Sequence, residues 1–145
     1  MEWLVRRLHP AGRTSRIGFW RWQAVETLCA GAVLFATVLV VDANGPGLIP
    51  FLLMAPLLAG AVLIAIRRMH DRNRSGWWVL MFSAIPYSLA GAGTALLETR
   101  TSVAALIAVV PMLGALGFGV WSWLEFGLLR GTRGPNRFGP EPQSR

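Results

Sequence analysis

An all-α fold, a four-helix transmembrane bundle with cytoplasmic N- and C-termini, is predicted by three features of this sequence. Hydrophobic residues make up 54% of the 145 and charged residues only 14%, too apolar a balance for a water-soluble globule of this size. Four apolar segments, at 22–41, 48–66, 77–97 and 103–129, are each long enough to cross the roughly 30 Å of bilayer hydrocarbon as helices rising about 1.5 Å per residue. Arginine is distributed unevenly between the connections: five lie in 1–21, four in 67–76, four in 130–145, and Arg100 stands alone. By the positive-inside rule this places both termini and the central loop in the cytoplasm, and an even number of crossings requires the same for the two termini. Helices are chosen over strands because lipid offers no partner for an unpaired N–H or C=O, and long apolar runs without alternation satisfy theirs only as helices.

Taken in order, residues 1–21 form a cytoplasmic arm with Arg6, Arg7, Arg13, Arg16 and Arg21. The first span, 22–41, contains Glu26 and Cys29. Its length exceeds the apolar core of about 7–15 residues usual in a secretory signal, and it carries an acid, so it reads as a retained span despite the small residues near Ala43. The connection DANGPG leads to the second span, which holds Pro56. The hairpin RRMHDRNRSGWW at 67–78 cannot lie in hydrocarbon, because arginine costs several kcal/mol there. In it Ser75 is placed to cap the next helix, Gly76 to permit a tight turn, and Trp77 and Trp78 to sit in an interfacial aromatic belt. The third span holds Pro86, and ETRTS joins it to the fourth, which holds Pro111. Gly91, Gly93, Gly114, Gly117 and Gly119 are candidate close-packing positions between helices. Residues 22–129 thus form the membrane domain, and 130–145 a Gly-, Pro- and Arg-rich cytoplasmic tail that reads as extended or disordered.

Net charge is +7, and every basic residue is arginine. Beside apolar spans this charge predicts anionic lipid as the partner rather than nucleic acid. The exclusive use of arginine is equally expected of a GC-rich genome. One cysteine excludes an internal disulfide, and two histidines without an acidic cluster give no metal-ligand spacing. No cofactor is expected. No nucleophile–base set, phosphate loop or HExxH motif is present, so an enzyme has little support.

Three strings now stand on one side of the membrane: GRTSRIGFWRW at 12–22, RRMHDRNRSGWW at 67–78 and GTRGPNRFGPEP at 131–142. In this order and spacing they resemble the domain-of-unknown-function 805 family of bacterial inner-membrane proteins, over nearly the whole chain. The resemblance is carried by Gly12, Arg13, Ser15, Arg16, Phe19 and Trp20, then by Arg68, His70, Asp71, Arg74 and the SGWW that follows, then by Gly134, Asn136, Arg137, Phe138, Gly139, Pro140 and Pro142. Met69 stands where many members have leucine, a volume-conserving change. The resemblance implies a small multi-pass protein of the bacterial inner membrane, with no established activity, substrate or cofactor.

Physically, Arg67 and Arg68 precede Asp71 by four and three residues, so a continuing helix would let arginine clamp that acid. Glu26 and Glu125 each lie five residues from an arginine and close to the inner face, so one or both should pair with arginines of the three motifs. The candidate polar cap or lipid contact comprises Arg13, Arg16, Arg68, His70, Asp71, Arg74, Asn136 and Arg137. The functional expectation is a non-catalytic membrane protein binding anionic lipid or a partner protein through this cap. Two alternatives stay open: a small transporter or channel subunit using Glu26 and Glu125, which would need a homo-oligomer to enclose a pore, and an enzyme on lipid phosphates using His70 and Asp71.

Overall fold

The computed structural model describes residues 11–41 and 48–142. The first ten residues, with Arg6, Arg7 and His9, the DANGPG connection and Arg145 lie outside the described residues. The chain is all-helical, with four helices long and apolar enough to cross a membrane: α1 (Arg16–Val41), α2 (Leu48–Asp71), α3 (Trp77–Glu98) and α4 (Ser102–Trp123). A π-helical turn, Leu124–Leu128, prolongs α4. Among the described residues no strand forms beyond one isolated bridge, Asn136 with Gly139.

Two of the helices begin or end further out than their apolar segments. Helix α1 starts at Arg16 because Ser15 caps it, its Oγ accepting the Gly18 N–H at 3.1 Å. Helix α2 runs past Ile66 to Asp71, since the polar residues 67–71 find partners from other parts of the chain. Pro56, Pro86 and Pro111 all lie within helices, where lipid leaves the backbone no better arrangement.

The α2–α3 turn is built differently from the sequence reading. Asn73, not a glycine, takes the left-handed conformation (φ 57°). Gly76 is right-handed and sits at the start of α3, which has no side-chain cap. Ser75 contributes its backbone carbonyl to the Trp78 N–H instead. What Gly76 supplies is space, because a Cβ there would lie 3.1 Å from Ile66 Cγ2. The glycine stripes also divide: Gly93 packs on Met112 and Gly114 on Leu89, whereas Gly91, Gly117 and Gly119 face open space.

Helix α3 packs most extensively on α4 and α1 on α2, while α2 meets α3 more sparsely. The bundle is therefore two hairpins, with Trp22 against Gly60 inside the first and Gly93 against Ala108 and Met112 inside the second. They are joined at the arginine-rich end, where Met69, Val79 and Phe82 form a small buried core with Ile66, Trp78 and Phe126 around it. An aromatic layer crosses the same end: Phe19 on Phe126, Phe126 on Phe82 and Phe82 on Trp121, at 5.2–5.9 Å between centroids. Elsewhere large apolar side chains such as Leu28, Leu106 and Val110 are exposed, as a lipid-facing surface requires.

Candidate functional site

The polar residues of the three motifs converge at one end of the bundle, around Asp71. Its carboxylate is 5% exposed and is held from two sides. Arg68, one turn earlier on α2, donates from Nη1 to Oδ2 at 2.6 Å. Arg13, arriving from 58 residues away, donates from Nε and Nη2 to Oδ1 at 3.1 and 3.0 Å. Two buried cations on one buried anion leave an excess charge, and the rest of the geometry shows what offsets it. Arg13 also donates to the carbonyls of Thr132 and Gly134 (2.5 and 2.6 Å), and Arg68 to those of Phe126 (2.8 Å) and Leu129.

The two carbonyls that Arg68 meets belong to a helix end, and the two that Arg13 meets belong to the tail beyond it. The last turn of any helix presents C=O groups with no intrahelical partner and the negative end of its dipole, a severe cost where a chain leaves lipid. Here the π-helical turn, closed by Leu129 N–H on Leu124 O at 3.0 Å, turns a run of carbonyls outward. Each receives a side-chain donor from another element: Phe126 and Leu129 from Arg68, Gly127 from Trp20 Nε1 (3.0 Å), Leu128 from Arg16 (3.2 Å) and Arg130 from Arg72 (2.6 Å). Gly127 lets the Trp20 ring close in, because a Cβ there would meet Trp20 Cζ2 at 2.5 Å. Arginine, with five donors in a planar fork, can serve a carboxylate and several carbonyls together, which lysine cannot.

Glu125, in the π turn, is buried and paired with Arg72 (3.2 Å) and Arg74 (3.0 Å). Arg74 also stacks over Trp78 at 4.4 Å. Glu26 differs, since its Oε2 is buried and has no hydrogen-bond donor among the described residues. The two acids should differ in their response to neutralisation. Glu125→Gln strands two arginines and should lower stability by about 1–3 kcal/mol. Glu26→Gln removes no ion pair among the described residues and should change stability by less than about 1 kcal/mol. Thermal unfolding of the two variants in detergent checks this; equal losses would contradict the pairing.

The tail from Gly131 is not the extended or disordered segment its composition suggests. It folds onto the hairpin through specific contacts. Thr132 donates from N and Oγ1 to the Asp71 carbonyl (2.8 and 3.0 Å), Asn136 Nδ2 to the His70 carbonyl (2.9 Å), and Arg137 Nη2 to the Asn73 carbonyl (3.1 Å). Asn136 and Gly139 exchange backbone bonds at 3.0 Å, with Gly139 at φ 134°. Phe138 lies flat on His70, centroids 3.9 Å apart. His70 Nδ1 donates to the Gly12 carbonyl at 3.2 Å, as only a protonated nitrogen can, which ties in the N-terminal segment. His70 Nδ1 and the Asp71 carboxylate thus bond to separate partners and not to each other. Among the described residues no three of His, Cys, Asp and Glu converge as metal ligands.

All eight residues of the sequence-derived cap lie in this region, but their surroundings differ. Arg68 is fully buried and Asp71 nearly so, out of reach of lipid. Arg13 has a side chain only 1% exposed. Sequence reasoning had no signal for the carbonyl ladder at 126–130; it placed Arg72 only among the possible partners of Glu125, and left Arg130, Gly131 and Thr132 out of the cap.

The fold and this cluster define a small polytopic α-helical membrane protein in which the segment just before α1, the tail to Pro142 and the central hairpin meet at one end. The family model described as "Protein of unknown function (DUF805)" matches residues 7–140, and the chain belongs to that family. It is 28% identical to inner membrane protein YhaI of Escherichia coli (strain K12) over 147 residues, covering 99% of this chain and 97% of that one. It is 25% identical to inner membrane protein YhaH of the same strain over 155 residues, covering 99% and 98%. No solved structure matches.

Proposed function

We propose that this is a non-catalytic protein of the bacterial inner membrane, with both termini and the α2–α3 hairpin cytoplasmic, whose arginine-rich end associates with anionic lipid. One observation carries the reading. After the internal pairs are formed, Arg21, Arg130 and Arg133 remain exposed at that end without an ion pair among the described residues, beside exposed Trp20, Trp22, Trp77 and Trp123. Tryptophan at an interface and unneutralised arginine beside it suit a headgroup layer containing phosphatidylglycerol or cardiolipin. The same charge bias supports the cytoplasmic placement. The transporter reading loses Glu125, both of whose oxygens are held by arginine, and keeps only Glu26.

Native mass spectrometry of the full chain extracted in detergent tests this and reports stoichiometry at the same time. Phosphatidylglycerol or cardiolipin should be retained over phosphatidylcholine, and retention should fall with ionic strength. Equal retention of zwitterionic lipid would sink the lipid reading, and an active alkaline phosphatase fused after Arg145 would sink the orientation.

A further inference from the structure

We infer that the cleft between the first turn of α1 and residues 130–133 is a discrete phosphate site, with Arg16, Arg130 and Arg133 as its ligands. The inference rests on the lipid reading above and narrows it from a diffuse basic surface to one place. The cleft, about 840 Å³, falls within the roughly 300–1,000 Å³ of small-molecule sites, ample for a phosphate with its glycerol substituents. Four arginines and two carboxylates line it. Arg13 and Asp71 neutralise each other at the cluster already described. Glu141 is engaged with the Gly134 N–H at 2.7 Å. That bond leaves the Glu141 charge in place, so Arg16, Arg130 and Arg133 outweigh one remaining acid and the lining stays net positive. Arg16 spends one N–H on the Leu128 carbonyl and keeps others in hand; Arg130 and Arg133 make no side-chain hydrogen bond or ion pair among the described residues.

The arginines are also carried on fixed backbone. The Arg130 carbonyl is held by Arg72, Thr132 by the Asp71 carbonyl, and the Thr132 and Gly134 carbonyls by Arg13. Arg133 is thus bracketed by pinned neighbours, and Arg16 stands in the first turn of α1. A scaffold ordered in advance removes much of the entropic cost of gathering three guanidinium groups on one anion. Guanidinium forks match phosphate oxygens bidentately. A phosphate group, esterified in a lipid or free, is the ligand this chemistry recognises.

The full chain is purified in detergent, and binding is read as retained phosphatidylglycerol by native mass spectrometry and as thermal stabilisation by phosphatidylglycerol or by inorganic phosphate. Charged hydrogen bonds of this kind lead us to expect about tenfold weaker binding in R130Q/R133Q. R130Q should weaken binding more than R21Q, which removes the same charge at the same end outside the cleft. Response to lipid alone identifies the headgroup as the source of the phosphate, and response to both extends the site to free phosphate. Wild-type protein that retains phosphatidylglycerol no better than R130Q/R133Q overturns the site and leaves the broader lipid reading standing. Wild-type protein that retains none, and is not stabilised by phosphate, overturns both. R130Q/R133Q alters exposed side chains outside the packed core, so its unliganded melting temperature should match wild type.

Discussion

Asp71→Ala should lower the unfolding free energy by about 3–5 kcal/mol, because removing one partner of a buried ionic cluster leaves the others charged and desolvated. Here the others are two arginines whose side chains are 1% and 0% exposed. Their hydrogen bonds to carbonyls survive the substitution, but those dipoles do not replace a full negative charge. The loss should also detach the tail and the N-terminal segment together, since Arg13 bridges Asp71 to the carbonyls of Thr132 and Gly134. Limited proteolysis of the detergent-solubilised protein would show both ends becoming cleavable at once. A change in unfolding free energy below about 1 kcal/mol would be the size expected of an exposed pair and would contradict the buried cluster.

Gly131→Ala should be comparably damaging, by about 3 kcal/mol or more, at the top of the range for overpacking. An added Cβ would fall 1.9 Å from Asp71 Oδ2 and 2.7 Å from Oδ1. Such a contact is relieved cheaply when the neighbour is a free side chain. Asp71 is not free, since Arg68 and Arg13 hold its two oxygens, so the tail backbone must lift instead and break the Thr132 bonds to the Asp71 carbonyl. Gly134→Ala makes an informative comparison. Its site is open but its φ is +71°, so it should cost only about 1 kcal/mol of backbone strain. Thermal unfolding of the two variants separates crowding from strain, and a Gly131→Ala protein as stable as wild type would rule out the close approach.

Much of the architecture was legible because hydropathy encodes it directly. Runs of about 20 apolar residues can span a bilayer only as helices, and the arginines mark where they stop. The convergence of three ordered motifs followed from four crossings. Glu125 could be expected to meet arginine from its depth alone, although which arginines reached it depended on where α2 ends. The Arg68 clamp on Asp71 was legible from its spacing, but the bonds of Arg16, Arg68 and Arg72 to 126–130 were not, because those partners are backbone carbonyls, which every residue carries and no sequence pattern marks. The π-helical turn that exposes those carbonyls has no signature in LEFGL. The tail was misread for a related reason: Gly, Pro and Arg are the composition of disorder, yet Gly131, Asn136 and Gly139 are there for a close approach, a side-chain bond to the hairpin and a turn. Ser75 and Gly76 were assigned the customary jobs of their residue types, while the turn used Asn73 and the packing used Gly76.

The density of arginine is accounted for by two demands that meet at one end of the bundle. A helix leaving lipid must have its final carbonyls satisfied, and the segments flanking the bundle must be fastened to a hairpin. Arg68 and Arg13 meet both through Asp71.

That claim is tested most directly by a double-mutant cycle on Arg13 and Asp71, with unfolding measured for wild type, Arg13→Ala, Asp71→Ala and the pair in the same mixed micelles. Residues 58 apart in sequence have no reason to couple unless they touch. The structure predicts a coupling of about 1–3 kcal/mol, the double variant being less damaged than the sum of the singles. Additivity within about 0.3 kcal/mol would contradict it.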